Sequence, residues 1–291
     1  MRLRPVRGTR RGVAVASVLV LCLGWLGGCA ADSASSNDAG SRSPEGNPAG
    51  TTVRVLQMNL CNSGRADCYS GGRAVRMAVA LVHDDRPTMV SVNEVCRGDV
   101  GVLEQALSTT FPAGSVATAF TPAWDRPNRE PVRCQNGQQF GDGVLVVVLS
   151  GHGVHRYGGL YPMQDGHDVE ERGWACLDLA AQFTACTTHT ASTSTTVALA
   201  QCRHLLGSVV PRISRGDGGL PVVLGADLNL AVGGSPGPQS CLPSGYRRAD
   251  DGALQDVVLG PGGRVRSHSI VDMRDTTDHP GLLVDLVLPH L

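Results

Sequence analysis

The stretch VVLGADLNL, residues 222–230, is the most informative part of the sequence, because a strand-like apolar run ends here in two polar side chains. Its branched apolar residues are typical of a buried β-strand. Asp227 and Asn229 stand two residues apart, so an extended chain places this carboxylate and this amide on the same side. Sheets gather ligand groups at the ends of their strands, and the pair therefore predicts part of a functional site.

A second stretch, TTDHPGLLVDL at residues 276–286, places Asp278 and His279 directly before another strand-like run. Further polar residues end other predicted strands, namely Asn59, Glu94 and His189. The charge of Glu94 is expensive to bury without a partner. We expect all of these side chains to converge on one cleft at the strand ends.

Each of these residues also has an explanation that involves no function. Asn59 fits a turn cap, Glu94 fits an ion pair with a surface arginine, and Asp227 with Asn229 fits an Asx-turn. His189 fits a core histidine whose hydrogen bonds are satisfied. Their recurrence in the same strand-end context favours a shared site.

The hydrophobic pattern predicts many strands and a few helices. Helical spacing marks residues 73–84, 100–111 and 196–213. Strand-like runs occupy residues 53–60, 88–95, 143–150, 220–229, 253–260 and 281–288. Residues 174–190 predict a hairpin that turns near Ala181 and Gln182, whereas HGVHRYG at residues 152–158 is interpreted as a loop. This succession predicts two packed sheets flanked by helices.

The amino terminus has the pattern of an export signal, with five arginines in residues 1–11 and an apolar run over residues 12–28. Its ending, LGGC, resembles a bacterial lipobox, which implies cleavage before Cys29 and a diacylglycerol on the Cys29 sulfur. A plain signal peptide with a chance cysteine is the alternative, and TRRGVA resembles a twin-arginine signal. Residues 29–51 then predict the lipidated cysteine and a flexible tether, followed by a single domain over residues 52–291.

Cysteine usage also favours export. Apart from Cys22 and Cys29 the chain has eight cysteines, an even number that predicts disulfides. Sequence proximity suggests Cys61–Cys68 and Cys176–Cys186, the latter facing each other in the predicted hairpin, with Cys96–Cys134 and Cys202–Cys241 less strongly indicated. The sequence contains no CxxC pair, which argues against a structural zinc site.

The charge balance disfavours one class of partner. Without residues 1–28 the chain has 20 basic and 26 acidic side chains, a formal charge of −6. Broad affinity for a polyanion depends on many basic contacts to phosphates, so non-specific nucleic-acid binding is not expected. The sequence also has no GxSxG motif, which disfavours a serine hydrolase.

The segments VLQMNL, VSVNEVC, FGDGVLVV, TACTTHT, VVLGADLNL and TTDHPGLLVDL, in this order, resemble the endonuclease/exonuclease/phosphatase superfamily over residues 53–288. The resemblance implies an α+β fold, a four-layer α/β/β/α sandwich. It also implies hydrolysis of a phosphate ester with the help of Mg²⁺ or Mn²⁺.

The resemblance implies a role for each site residue. Glu94 would be the main metal ligand with Asn59 nearby, since Mg²⁺ needs few protein oxygens and keeps several waters. Asp227 would position and deprotonate the attacking water, and Asn229 would hold the phosphoryl oxygens. His189 and His279 would donate to the charge that grows on those oxygens, with Asp278 beside the metal and His279.

Two positions depart from the family pattern. Gln255 stands where the family has an Asp that supports the final histidine, and the neighbouring Asp256 points to the opposite face of its strand. Asp272 or Asp275 could supply the missing acid. Asp142 stands where the family often has Asn.

We therefore expect an exported, monomeric, nuclease-like phosphoesterase that is tethered to the outer face of the cell membrane through Cys29. The expected partner is a phosphodiester, in a nucleic acid or a phospholipid head group. A lipid phosphodiesterase or phosphatase of the same family is one alternative. A non-catalytic surface-binding protein is the other, and Gln255 is the feature that keeps it open.

Overall fold

The structure is a computed structural model that describes residues 50–148, 153–215 and 219–289. The helical segments are α1 (Arg73–Asp85), α2 (Arg97–Thr110), α3 (Thr195–His204), a π-helical turn (Leu205–Val209), α4 (Val210–Arg215) and a 3₁₀ turn (Pro238–Cys241). The strands are β1 (Thr52–Asn59), β2 (Met89–Cys96), β3 (Ser115–Pro122), β4 (Trp124–Asp125), β5 (Glu130–Pro131), β6 (Phe140–Val148), β7 (Val154–Leu160), β8 (Glu170–Glu171), β9 (Gly173–Leu179), β10 (Phe183–His189), β11 (Val222–Asp227), β12 (Arg247–Asp250), β13 (Gln255–Leu259), β14 (Arg264–Val271) and β15 (Gly281–Val287).

The strands form two six-stranded mixed sheets and one small three-stranded sheet. The first sheet has the order β14-β15-β1-β2-β6-β3, and the second has the order β12-β13-β11-β10-β9-β7. Each large sheet contains one parallel pair, β1 with β2 and β10 with β11. The carboxyl ends of a parallel pair lie at one edge of a sheet, which places Asn59 and Asn93 together and His189 beside Asp227.

The fold has four layers, two sheets between two layers of helices, and an apolar cluster lies at each of the three interfaces. The central cluster joins the inner faces of the two sheets, with Val55 and Val144 from the first and Leu177 and Val223 from the second. Another packs the first sheet against α1 and α2, and the last packs the second sheet against the α3–α4 segment. The predicted four-layer α/β/β/α sandwich is therefore confirmed.

The segments predicted as helices are helical, with one irregularity. The segment predicted at residues 196–213 contains the π-helical turn Leu205–Val209, directly before α4, whose second residue is Pro211. Proline has no backbone N–H to donate to the preceding turn, and π-helical hydrogen bonding is one way for a helix to accommodate such a position.

The loop interpretation of residues 152–158 was wrong, because Val154–Leu160 is an edge strand paired with β9. Most of its side chains are exposed, so it lacks the apolar alternation that marks a half-buried strand. The strand Arg264–Val271 was missed for the same reason, since it pairs only with β15 and is exposed along most of its length. Asp278 and His279 precede the last strand, which begins at Gly281.

All four predicted disulfides are confirmed. They join Cys61 to Cys68, Cys96 to Cys134, Cys176 to Cys186, and Cys202 to Cys241. Cys176 and Cys186 are directly opposite in the register of β9 and β10, with Cα atoms 4.1 Å apart. Four disulfides indicate that the domain folds in an oxidising environment.

The predicted signal peptide at residues 1–28, the lipid attachment at Cys29 and the tether up to residue 49 lie outside the described residues. Within the described ranges, the helices are all too short or too polar to span a bilayer.

The disulfides should stabilise the domain according to the length of chain that each one closes. Cys176–Cys186 spans 10 residues and Cys202–Cys241 spans 39. Replacing both cysteines of a bridge by alanine should lower the free energy of unfolding by about 3 kcal/mol for the short loop and about 4 kcal/mol for the long one. Urea unfolding of the two double variants measures both losses, and the reverse order would contradict a chain-entropy origin.

Candidate active site

The site is built where the carboxyl ends of β1, β2, β10 and β11 meet. Asn59, the last residue of β1, donates from Nδ2 to Glu94 Oε1 at 2.8 Å and to Asp227 Oδ2 at 3.1 Å. Glu94 belongs to the first sheet and Asp227 to the second. One amide therefore holds two carboxylates of opposite sheets together, as the convergence of strand-end residues predicted.

Glu94 reaches the site because β2 bulges at this point. The register of β2 with β6 shifts between Val92 and Val95, and Glu94 has a left-handed φ of 56°. A bulge turns a side chain away from the direction that the strand would give it. The Glu94 side chain remains partly accessible, and burial raises its carboxyl pKa above the usual value, opposed by the Asn59 hydrogen bond and by Arg172.

Asp227 is buried and is surrounded by donors. Its Oδ1 accepts from the Asn229 backbone N at 3.1 Å, and its Oδ2 accepts from Gln255 Nε2 at 2.8 Å in addition to Asn59. Burial raises the pKa of this carboxyl, while His279 and the hydrogen bonds oppose the rise. A carboxylate with a raised pKa accepts protons readily, as a general base must.

The Asx-turn that sequence reasoning offered as the non-functional alternative is present at the same residues. Asn229 has a left-handed φ of 48°, and its Nδ2 donates to the Thr190 carbonyl oxygen at 2.9 Å. One amide hydrogen of Asn229 therefore fixes the end of β10 and the other is left for a ligand. Asp227 and Asn229 therefore form the turn and are part of the site as well.

The loop before β15 brings the predicted Asp–His pair to the site. His279 Nε2 lies 3.8 Å from Asp227 Oδ2 and 3.9 Å from Asp278 Oδ2. The Thr277 hydroxyl donates to the Asn59 carbonyl oxygen at 3.0 Å, which ties this loop to the end of β1. The Asp278 side chain is 55% exposed and faces outward, in contrast to the buried Asp227.

Gln255 hydrogen-bonds to Asp227, at the same carboxylate oxygen that His279 Nε2 approaches to 3.8 Å. It is fully buried, donates to Asp227 Oδ2 and accepts from Gln57 Nε2 at 2.8 Å. The carboxylates near His279 are Asp227 and Asp278, so neither Asp272 nor Asp275 is needed there.

Asp256 points away from the site, as the strand alternation predicted. Its Oδ1 accepts from Arg248 Nη1 at 2.7 Å.

Asp142, the other departure from the family pattern, accepts from Asn93 Nδ2 at 3.0 Å and lies 3.4 Å from the Glu94 backbone N. Burial raises the pKa of Asp142 to about 7. Asp142 therefore supports the bulge that carries Glu94.

His189 is buried at the end of β10, and its nearest polar partner is a residue that sequence reasoning missed. Arg172 Nη1 lies 2.9 Å from His189 Nδ1, and the Arg172 side chain is itself buried. Burial and the Arg172 charge lower the pKa of His189 well below its ordinary value. Arg172 follows the acidic run DVEE at residues 168–171, a context that indicates a solvated loop.

Gln57 and Asn93 were also missed. Both are fully buried polar residues inside strands, and Asn93 accepts from Gln57 Nε2 at 2.7 Å and from the Asp227 backbone N at 3.1 Å. The available signal was the polar residue inside each apolar run, VLQMNL and VSVNEV. Buried amides need hydrogen-bond partners, and those that these two residues find on the opposite sheet, Gln255 and Asp227, mark the polar end of the sandwich.

The donor set fits a hard divalent cation held largely by water and substrate. Glu94 is partly accessible, and besides burial the nearby carboxylates of Asp227 and Asp278 raise its pKa, against the charge of Arg172. Mg²⁺ and Mn²⁺ favour carboxylate oxygens of this kind. Asn59 Oδ1 is taken by the Cys61 backbone N at 3.1 Å, so Asn59 orients Glu94 and is less suited to be a ligand itself.

A second group of possible ligand atoms does not form a metal site. The Cys61 and Cys68 sulfurs lie close to the Asp278 carboxylate, but they are joined in a disulfide and cannot bind as thiolates. This bridge instead packs beside the loop that carries Asp278.

Left-handed backbone is concentrated around the site. Of the eight described non-glycine residues with positive φ, five lie at the site or in the loop that leads to it, namely Cys61, Glu94, Asn229, Arg274 and Asp275. Such residues are uncommon and cost conformational free energy, so their clustering is characteristic of functional regions.

The contact between Gln255 and Asp227 makes a prediction about stability. Gln255→Glu would bury a second carboxylate against Asp227 and should lower the free energy of unfolding by about 3 kcal/mol at pH 7. The folded-state pKa of this new acid should exceed its unfolded value of about 4.3, so the loss should be small at lower pH and grow as the pH rises. Urea unfolding from pH 4 to pH 7 measures this.

Gln255→Leu is the matched control, because it removes the same hydrogen bonds without adding a titrating group. Its loss of stability should grow with pH only as far as the lost hydrogen bond lets the pKa of Asp227 rise, and therefore less steeply than that of the Glu variant. Parallel pH dependence in the Glu and Leu variants would contradict the proximity of position 255 to Asp227.

Neither the family models nor the curated proteins contain a match to the sequence. Solved structures do match. An endonuclease/exonuclease/phosphatase family protein from Bacteroides thetaiotaomicron is 13% identical with a TM-score of 0.58, over 81% of this chain and 95% of the other. A mannosyl-6-phosphatase from the same organism is 12% identical with a TM-score of 0.59, over 81% and 99%. The catalytic domain of human Nocturnin, with a bound sulfate anion, is 15% identical with a TM-score of 0.58, over 81% and 94%.

These likenesses cover about four fifths of the chain and agree with the resemblance found in the sequence motifs. The described domain therefore has the endonuclease/exonuclease/phosphatase fold.

Proposed function

We propose that this protein is an exported, metal-dependent phosphoesterase that hydrolyses a phosphodiester by attack of water on phosphorus. The observation that carries the proposal is the placement of Asp227. This buried carboxylate has a raised pKa and lies 3.8 Å from His279, and Asn59 joins it to the accessible carboxylate of Glu94. The site thus combines a proton acceptor, a proton donor and a cation ligand.

Glu94 would hold the cation, with Asp278 on the same open side of the site. When bound, Mg²⁺ or Mn²⁺ supplies positive charge that polarises the phosphoryl group. The Asp142 contact and the bulge of β2 keep Glu94 aimed into the site.

Asp227 would orient the attacking water and take its proton. Gln255, Asn59 and the Asn229 backbone hold its two oxygens in place, so the base does not have to reorganise during the reaction. Preorganised groups of this kind are a main source of catalysis in a buried site.

His189 and His279 would donate hydrogen bonds to the phosphoryl oxygens as negative charge grows there. Each lies beside one of the two carboxylates, His189 Nδ1 at 4.0 Å from Glu94 and His279 at 3.8 Å from Asp227. Asn229 has an amide hydrogen free for the same oxygens. These donors stabilise a transition state with more charge than the substrate.

A phosphodiester is the proposed substrate class, in a nucleic acid or in a phospholipid head group. Solved structures with this fold include the mannosyl-6-phosphatase and a 2′,3′-cyclic phosphatase in complex with adenosine-2′,3′-vanadate, so the architecture accommodates different phosphate esters. A panel of plasmid DNA, RNA, sphingomyelin and phosphoinositides, each with and without EDTA, separates the nuclease from the lipid alternative.

The proposed location is the outer face of the cell membrane, with a monomer held through lipid on Cys29. The four disulfides support export, and the tether over residues 29–51 is long enough to let the domain stand off the surface. Gln255 no longer favours a non-catalytic binding protein, because it supports Asp227.

Two isosteric variants should separate metal binding from proton transfer. Glu94→Gln should weaken Mg²⁺ binding, because a neutral amide is a poorer ligand for a hard cation. Asp227→Asn should retain Mg²⁺ binding and lose at least about 100-fold in turnover, because it removes the proton acceptor. Calorimetric titration with Mg²⁺ and turnover on the best substrate of the panel measure the two effects.

Asp285→Asn is the matched control, because it removes a carboxylate that pairs with Arg54 on the first sheet, outside the site. It should leave both Mg²⁺ binding and turnover close to those of the wild type. Near-wild-type turnover in Asp227→Asn would refute the role assigned to Asp227.

A further inference from the structure

Arg172 is a buried cation in contact with a site histidine, and the sequence motifs give it no role. It directly precedes β9, and only 10% of its side-chain surface is exposed. Its Nη1 lies 2.9 Å from Nδ1 of His189. The usual partner of a functional histidine is a carboxylate or a carbonyl oxygen, both of which accept a proton from the ring.

When the partner is a guanidinium, the histidine ring nitrogen accepts the hydrogen bond and does not donate it. Arginine has only donors and stays protonated, so the nitrogen that it contacts must accept and cannot carry a hydrogen. The competing partner, Glu94 Oε1, is 4.0 Å from the same Nδ1, too far for a hydrogen bond. The contact therefore leaves the ring hydrogen of neutral His189 on Nε2.

Arg172 is held in this position by acidic residues that precede β9, Glu170 of β8 and Asp168. Its Nη1 is 3.0 Å from Glu170 Oε1, and its Nη2 is 3.4 Å from Asp168 Oδ2. The Asp142 and Glu94 charges add to those of Glu170 and Asp168 in raising the pKa of Arg172, against the effect of burial. The ion pairs thus fix the orientation of the guanidinium and keep it protonated.

We propose that Arg172 is a positioning residue that locks His189 as the Nε2–H tautomer, so that an uncharged N–H is aimed at the phosphoryl group. This proposal rests on the proposed function for the identity of the acceptor, but the tautomer is a property of the free protein. His189 would then act as an oriented dipole.

The tautomer can be measured without any substrate. Two-bond proton–nitrogen NMR spectra of protein with ¹⁵N-labelled histidine distinguish a protonated ring nitrogen from an unprotonated one, and His189→Gln identifies the signals. We expect an unprotonated Nδ1 and a protonated Nε2 in the wild type, with Mg²⁺ added to occupy the cation site. A protonated Nδ1 would overturn the proposal by itself.

Arg172→Met removes the donor and should let the Nδ1–H tautomer of His189 become populated. Because this variant leaves Glu170 without its cation, Glu170→Gln/Arg172→Met is made beside it to restore the charge balance and keep the domain folded. In the variant that folds, turnover should fall about 10- to 100-fold with KM little changed, as for loss of a residue that orients a functional histidine.

Arg126→Met is the matched control, since Arg126 binds Glu171 Oε1 at 3.3 Å in the same region and makes no contact with His189. It should leave both the His189 tautomer and turnover unchanged. An unaltered tautomer in the folded Arg172 variants would refute the proposal even if their activity fell. If the wild type shows the Nε2–H tautomer but cleaves none of the panel, the proposed function fails while the role of Arg172 in setting the tautomer stands.

Discussion

The burial of one carboxylate, that of Asp227, is the constraint on which the polar end of the sandwich depends. A buried charge is tolerated only when its oxygens are matched by donors, and here the donors come from both sheets. Asn59 reaches across from the first sheet, while Gln255 and the Asn229 backbone belong to the second sheet and its connecting turn. Further along the strands the sheets meet mainly through apolar side chains, with Ser91 bonding to Thr187 and to the Gly225 carbonyl oxygen across the interface. Hydrogen bonds therefore fix the relative position of the sheets at the end where chemistry is proposed.

Much of this arrangement could be predicted from sequence because it depends on local patterns. A buried strand followed by Asp227 and Asn229 marks a strand end, and parallel pairing then brings that end next to His189. Cysteine proximity predicted all four disulfides, two of them strongly, and the register of the hairpin placed Cys176 opposite Cys186. The strand end at Asp227 and the hairpin bridge depend on information within about ten residues, whereas Cys96–Cys134 and Cys202–Cys241 close loops of 38 and 39 residues and were indicated less strongly.

The rest depended on pairings between distant segments. Arg172 contacts His189 only after β9 and β10 have paired, and its acidic neighbours in sequence indicate an exposed loop. Gln255 occupies a family position for a residue that supports the last histidine, yet its geometry directs it to Asp227. Edge strands such as Val154–Leu160 could not be predicted, because their side chains face solvent and do not alternate between apolar and polar.

The left-handed residues around the site have a consequence for how this protein can be improved. Residues such as Glu94 and Asn229 each cost about 1 kcal/mol compared with a relaxed backbone, and glycine would remove most of that cost at Glu94. Selection for heat resistance alone would therefore favour replacing the proposed cation ligand Glu94 and the turn residue Asn229. Engineering for durability and engineering for turnover pull in opposite directions at these positions, so variants intended for harsh conditions are better sought among the exposed loops and edge strands.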